Sequence, residues 1–135
     1  MSKLLDWETR LAALVTQAHS RPFAWGEHDC CLWAADCVLA QTGTDPADGL
    51  RGTYADARAA AALVERLGGM AEIGARGGAE IAPLMATHGD IGLAEHAGRE
   101  LLALCNGDHW LVVGTDGLLY LPVTAASRAW RVGHG

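Results

Sequence analysis

The chain has 135 residues and a mass of 14.2 kDa, which suits one domain over residues 1–135 and leaves little room for a second. Half its residues are hydrophobic and 19% are charged, enough apolar matter for a packed core and too much for disorder. The formal net charge of −6, from 16 acidic against 10 basic side chains, excludes a protein that works by gripping phosphate backbones, so no nucleic-acid partner is expected.

Leu4 to His19 reads as an amphipathic helix. Leu4, Trp7, Leu11, Leu14, Val15 and Ala18 recur at three- and four-residue spacing, while Asp6, Glu8, Arg10 and Gln17 take the other face. Carboxylates at Asp6 and Glu8 come too early for a secretory signal, so none is expected. Ser20-Arg21-Pro22 ends the helix, because the residue before proline avoids helical angles. A second helix is expected from Cys30 to Gln41, with Asp29 as its N-cap and Gly43 closing it. Apolar residues cover nearly its whole circumference, the pattern of a central buried helix. Thr44 to Gly52, with Pro46, Gly49 and Gly52, should be a surface loop. Tyr54 to Leu67 reads as a third helix ended by Gly68-Gly69. From Met70 to Gly89 the pattern is ambiguous, with a short helical turn expected within Ile81 to Thr87.

After Gly89 the period changes. Ile91–Ala94, Leu101–Cys105, Trp110–Val113 and Leu118–Leu121 are short apolar runs, and Trp130-Arg131-Val132 adds a last one. Asn106-Gly107-Asp108 and Thr115-Asp116-Gly117 between them are hairpin turn signals. Helices first and an antiparallel meander second predict an α+β fold, with N-terminal helices packed on a C-terminal antiparallel sheet. Apolar runs such as Cys30–Ala35 and Ala59–Val64 fall far short of the about 20 residues of a membrane span, so no span is expected.

The four cysteines, Cys30, Cys31, Cys37 and Cys105, lack the proportions of a secreted disulfide scaffold and read as reduced thiols in a cytoplasmic setting. None shows the two-residue spacing of a zinc knuckle. Zinc held by Cys30, Cys37, Cys105 and a histidine is the weaker alternative, and no metal or cofactor is expected.

Asp29-Cys30 is the most informative pair. A helix N-terminus carries about half a positive charge and unpaired N–H groups, which favour a thiolate and can hold the oxyanion of acyl transfer. Cys30 is therefore where a nucleophile is best activated. The structural alternative is a cysteine used as a small hydrophobe at a helix start, the reading given to Cys31, Cys37 and Cys105. Cys31 should turn toward the helical layer, since adjacent helix positions point about 100° apart. Trp25 is the candidate cleft wall beside Cys30, and Asp29 serves first as a cap. His28 reads as a solvated loop residue, His19 and His134 as surface residues, and His88 and His96 as residues within reach of a cleft.

The run Phe23-Ala24-Trp25-Gly26, followed by Asp29-Cys30 opening an apolar helix, resembles the NlpC-type papain-like cysteine peptidases that cut bacterial cell-wall peptides. It is most similar to their small phage and prophage branch, often encoded near tail genes. Gly89-Asp90-Ile91 is similar to the Gly-Asp that opens that family's first main strand, and Gly117-Leu118 through Leu121-Pro122 to Ala129-Trp130-Arg131-Val132 is similar to the branch's tail. The resemblance covers Trp7 to Val132, with 44–52 and 70–88 as loose filler. It implies a papain-like fold and a thiol hydrolase of phage or prophage origin acting on a cell-wall peptide amide. Its partners would be cell-wall peptide or phage tail proteins, and it would be made in the bacterial cytoplasm or assembled into a tail.

The resemblance also implies roles. Cys30 takes the nucleophile's position, with its backbone N–H in the oxyanion site. Two registers stay open for the base. His109-Trp110-Leu111-Val112-Val113-Gly114 as the His strand supplies His109, whereas Leu101–Gly107 as that strand puts Leu101 at the position and leaves the triad incomplete, a register that the spacing from Gly89 slightly favours. The third, orienting residue is unassigned. Phe23 stands where the family often has a tyrosine near its oxyanion hole, and the link from Trp25-Gly26 to Asp29-Cys30 is short. The alternative function is a degenerate papain-like fold that serves as a phage tail component or peptide binder. Phe23, Trp25 and Asp29 would then line the old cleft.

Overall fold

Gly89 divides the chain, as the change of period predicts. A computed structural model describes residues 2–133. Before Gly89 lie the helices α1 (Trp7–Ala18), α2 (Cys30–Thr42), α3 (Ala57–Arg66) and α4 (Met70–Gly74), followed by the strand β1 (Gly78–Ile81). After it come β2 (Ile91–His96), β3 (Arg99–Cys105), β4 (Trp110–Gly114), β5 (Gly117–Leu121) and β6 (Ala126–Val132). The strands form one sheet in the order β1-β6-β2-β3-β4-β5, and every pairing is antiparallel. The fold is α+β. No described helix is long and apolar enough to cross a membrane.

Both faces of the sheet are covered. Leu93, Leu102, Leu104, Leu111 and Val113 pack with Trp33, Cys37 and Val38 of α2 and Leu11 of α1 in one cluster. The alternate residues Ala94, Ala103, Cys105, Trp110, Val112 and Ala129 build a second cluster on the opposite face. This is the period-two division of a strand. Fully burying a leucine or valine contributes about 1.5–3 kcal/mol, so these two layers hold most of the stability. Two close approaches need glycine. A Cβ on Gly92 would meet the Trp110 ring at 2.6 Å, and one on Gly74 would meet the Trp130 ring at 2.5 Å.

α2 is the central helix the sequence predicts. Asp29 accepts a hydrogen bond from the Leu32 N–H at 2.9 Å, and Gly43 ends the helix at φ 78°. Between them Leu32, Trp33, Ala34, Ala35, Cys37, Val38 and Gln41 are all buried. α1 starts later than its apolar period suggests: the Leu4 N–H donates to the Gln41 carbonyl at 2.7 Å, and Leu5 is fully exposed. α3 also starts late, at an Asp56 cap. Tyr54 is drawn away to another partner, described below. None of the α3 residues is buried.

β1 was hidden in the ambiguous stretch. Gly78-Ala79-Glu80-Ile81 has little intrinsic strand preference and exists as a strand through its pairing with Ala129–Val132 of β6. The expected helical turn is a 3-10 turn at Pro83–Met85. β6 leaves the meander and returns beside β2. Asp90 fastens that return: its carboxylate accepts from the Val132 N–H at 3.1 Å and the Thr87 N–H at 2.9 Å, with Arg131 at 3.4 Å.

Candidate functional site

Asp29 is the hub of the site region. Besides the cap bond, its second oxygen accepts from the Gly26 N–H at 3.0 Å and the Tyr54 O–H at 2.6 Å. The residue is 2% exposed. Burial first, then this bond to a carboxylate, pushes the Tyr54 hydroxyl far above its ordinary pKa. Tyr54 thus pins the far end of the 44–56 loop against the start of α2. The Gly52 N–H also donates to the Gly26 carbonyl at 2.9 Å. Gly26 has φ 79°, and a Cβ there would collide with the Tyr54 carbonyl oxygen. With its oxygens so engaged, Asp29 organises the loop and the helix start.

The start of α2 opens into a cavity of about 530 Å³, the size of a small-ligand site. Phe23 and Trp25 form one wall, with their rings edge to face at 4.8 Å. Ala60, Ala61, Val64 and Leu67 of α3 form another. The Arg99–Leu102 stretch of β3 closes a third side. The walls are mostly apolar. The polar groups that reach them include the Cys30 and Cys31 thiols, His96 and Arg99.

Cys30 is partly buried at the first position of α2. Its sulfur lies 3.9 Å from that of Cys31, which in turn lies 3.7 Å from the Met70 sulfur at the start of α4. The Cys30 thiol is held below its ordinary pKa because the Cys31 S–H donates to it; the neighbouring Leu102 N–H and the Arg99 charge act the same way, against burial and the Asp29 charge. The Cys31 thiol is pushed well up by the same hydrogen bond and by burial. Both thiols line the cavity, yet Cys31 turns toward the helical layer as expected, against Met70 of α4 and the helix-side cluster, whereas Cys30 packs against the opposite cluster. Although helix positions set the Cα–Cβ directions far apart, side-chain rotation brings the sulfurs together.

The structure does not assemble the expected pair of Cys30 and His109. Leu102 stands beside Cys30, Cys105 is about 10 Å farther along the strand, and His109 lies beyond it in the β3–β4 turn. There the His109 backbone N–H is bound by Asn106, and its ring faces Tyr120 at 6.0 Å. No hydrogen bond joins Cys30 to an imidazole among the described residues; its sulfur meets that of Cys31 instead. Leu101, the other candidate position, lines the cavity. Of the remaining histidines, His96 lines the cavity from the end of β2, whereas His88 packs against Trp7 with the rings tilted and their centroids 5.3 Å apart. His19 bonds Tyr120 at 2.8 Å. His28 corrects the solvated reading: it is 2% exposed, and neither ring nitrogen has a partner. Burial lowers its pKa. His134 lies outside the described residues.

The zinc alternative is not assembled either. Cys37 is buried between α2 and the sheet, and the Cys105 sulfur accepts from the Gly107 N–H at the other end of β3. Among the described residues no group of three or more His, Cys, Asp or Glu is placed to hold a metal. Two residues of the site escaped sequence reasoning. Tyr54 reads as the first residue of a helix, and Met70 opens a stretch whose pattern is ambiguous; neither carries a local signal for its partner.

Comparison with known proteins adds a family and no function. No curated protein and no solved structure matches the chain. A domain family of unknown function, DUF6950, matches residues 2–132, and with nearly its whole length covered the chain belongs to that family.

Proposed function

We propose that the chain is a degenerate papain-like domain of the NlpC type that binds a peptide segment in the cavity at Cys30 without cleaving it. The carrying observation is that, among the described residues, no imidazole partners Cys30, while the Arg99–Leu102 stretch, with Leu101 at one of the two expected base positions, lines the cavity. Amide cleavage by a thiol needs a proton donor for the leaving amine, and a leucine cannot supply one. The features that remain suit binding. Cap, helix end and partly buried thiol persist, and the apolar walls with a few polar groups suit a short segment carrying one or two apolar side chains. By the family resemblance, that segment would come from a cell-wall peptide or from a phage tail protein.

A second reading keeps the hydrolase. His96, the last residue of β2, lines the same cavity as Cys30 and is the candidate base on its wall. One experiment separates the two. Fluorescent cell-wall stem peptides are incubated with the protein, and anisotropy and product release are followed together. Binding without release, unchanged in His96→Ala, supports the binding module. Release abolished by both Cys30→Ala and His96→Ala overturns it in favour of the hydrolase. Neither binding nor release rejects the cell-wall ligand.

A further inference from the structure

His28 is a buried titratable group that neither reading of the site uses. We propose that it is an acid-operated latch: a proton on its ring releases the Ala24–His28 loop, which carries Trp25, from the start of α2. The loop is closed on itself. The His28 N–H donates to the Ala24 carbonyl at 2.8 Å, and the Ala24 N–H donates back to the His28 carbonyl at 3.0 Å. The His28 side chain is covered in this arrangement, at 2% exposure, and neither ring nitrogen has a partner among the described residues. A neutral imidazole tolerates such a place far better than an imidazolium, which carries a full charge and two N–H donors.

The charged groups that face the ring do not relieve it. Arg21, in the segment after α1, is a like charge, and its guanidinium donates to the Glu27 carbonyl at 3.5 Å. Asp29 is an opposite charge, but its oxygens already accept from Leu32, Gly26 and Tyr54. Burial first, and then Arg21, hold the His28 pKa down against the pull of Asp29. An imidazolium is therefore better served by water, and the loop opens to let it out. What opens is the cavity wall. Phe23 and Trp25 line the cavity, and Gly26 ties the loop to Asp29 through its N–H and to the Gly52 N–H through its carbonyl. The sign follows from linkage. The open loop takes up its proton near the ordinary histidine value of about 6.5, and the closed loop only at a lower pH. The closed form is thus complete above that ordinary value and is lost as pH falls through the lower one. The latch acts on the wall whether the cavity binds its ligand or cleaves it.

The test is hydrogen exchange of the full chain at pH 7.5 and 5.5, corrected for the intrinsic pH dependence, with the His28 ring titrated by NMR in parallel. In the wild type, protection of residues 23–29 should fall several-fold, by up to about tenfold for a one-proton step, while residues 102–105 of β3 stay unchanged. His28→Phe and His28→Gln, which cannot take the proton, should hold the same protection at both pH values. Circular dichroism at pH 7.5 establishes that each is folded, and either one suffices. Constant protection of 23–29 in the wild type would overturn the latch. So would equal acid loosening in a folded variant, or a His28 ring that titrates at or above the ordinary value.

Discussion

Asp29 and Asp90 invite comparison. Both are buried, at 2% and 1% exposure, and both accept hydrogen bonds from backbone N–H groups and from a side chain. Their donors lie in different places. Asp90 binds Val132 of β6 and Thr87 of the preceding turn, so it joins two strands distant in sequence. Asp29 binds the first turn of α2, the Gly26 turn and Tyr54 of the long loop, so it shapes the rim of a cavity. Similar chemistry yields a structural knot in one case and a site scaffold in the other, because donors in a sheet are shared by the whole core whereas donors in a loop are not.

The largest expected effect is at the scaffold. Asp29→Ala removes the α2 cap and strands the Gly26 N–H in the interior, where an unsatisfied donor costs about 1–3 kcal/mol. A loss of about 3 kcal/mol, or roughly 10 °C in Tm, should appear in thermal unfolding. Asp90→Ala should cost less, about 2 kcal/mol, because the Val132 N–H loses a buried partner whereas Thr87, exposed in its turn, can give its N–H to water. Equal losses in urea titrations of the two variants would break the comparison.

Next comes thiol reactivity. Cys30 should react with iodoacetamide near neutral pH about tenfold faster than Cys31, Cys37 or Cys105, since its thiol is shifted down and theirs are shifted up. His109→Ala should leave that rate unchanged, because His109 sits at the opposite end of β3. Peptide mapping by mass spectrometry reads both. Equal slow labelling of all four would make Cys30 structural, like Asp90.

The smallest effect sharpens the scaffold role. Tyr54→Phe should cost about 1 kcal/mol at pH 7. The folded Tyr54 pKa lies above the unfolded value of about 10, so the hydroxyl's contribution is complete below that value and declines as pH rises past it. Denaturation of wild type and variant at pH 7, 9 and 10.5 should therefore show a constant gap that then narrows. A gap that widens with pH would mean that the hydroxyl is not held protonated by Asp29.

The sequence reading fares differently at the two ends of the chain. α2, its Asp29 cap and its Gly43 stop were legible because capping and glycine termination are local chemistry. The meander β2 to β5 was legible from short apolar runs and turn residues. The helix starts at Leu4 and Tyr54 were misplaced because backbone and side-chain partners far along the chain, the Gln41 carbonyl and Asp29, take those residues instead. The choice between His109 and Leu101 could not be made locally either, since both begin plausible strands.

By itself the sequence determined the class of fold, the central helix and a cysteine at its charged end, since periodicity, caps and turns act over a few residues. Only the tertiary structure decided what faces that cysteine. Strand register sets Leu101 and Leu102, and not His109, along its cavity, and helix packing brings Met70 to Cys31. Both depend on contacts between residues dozens of positions apart, whose geometry follows from burying two faces of one sheet at once and leaves no signature in local composition.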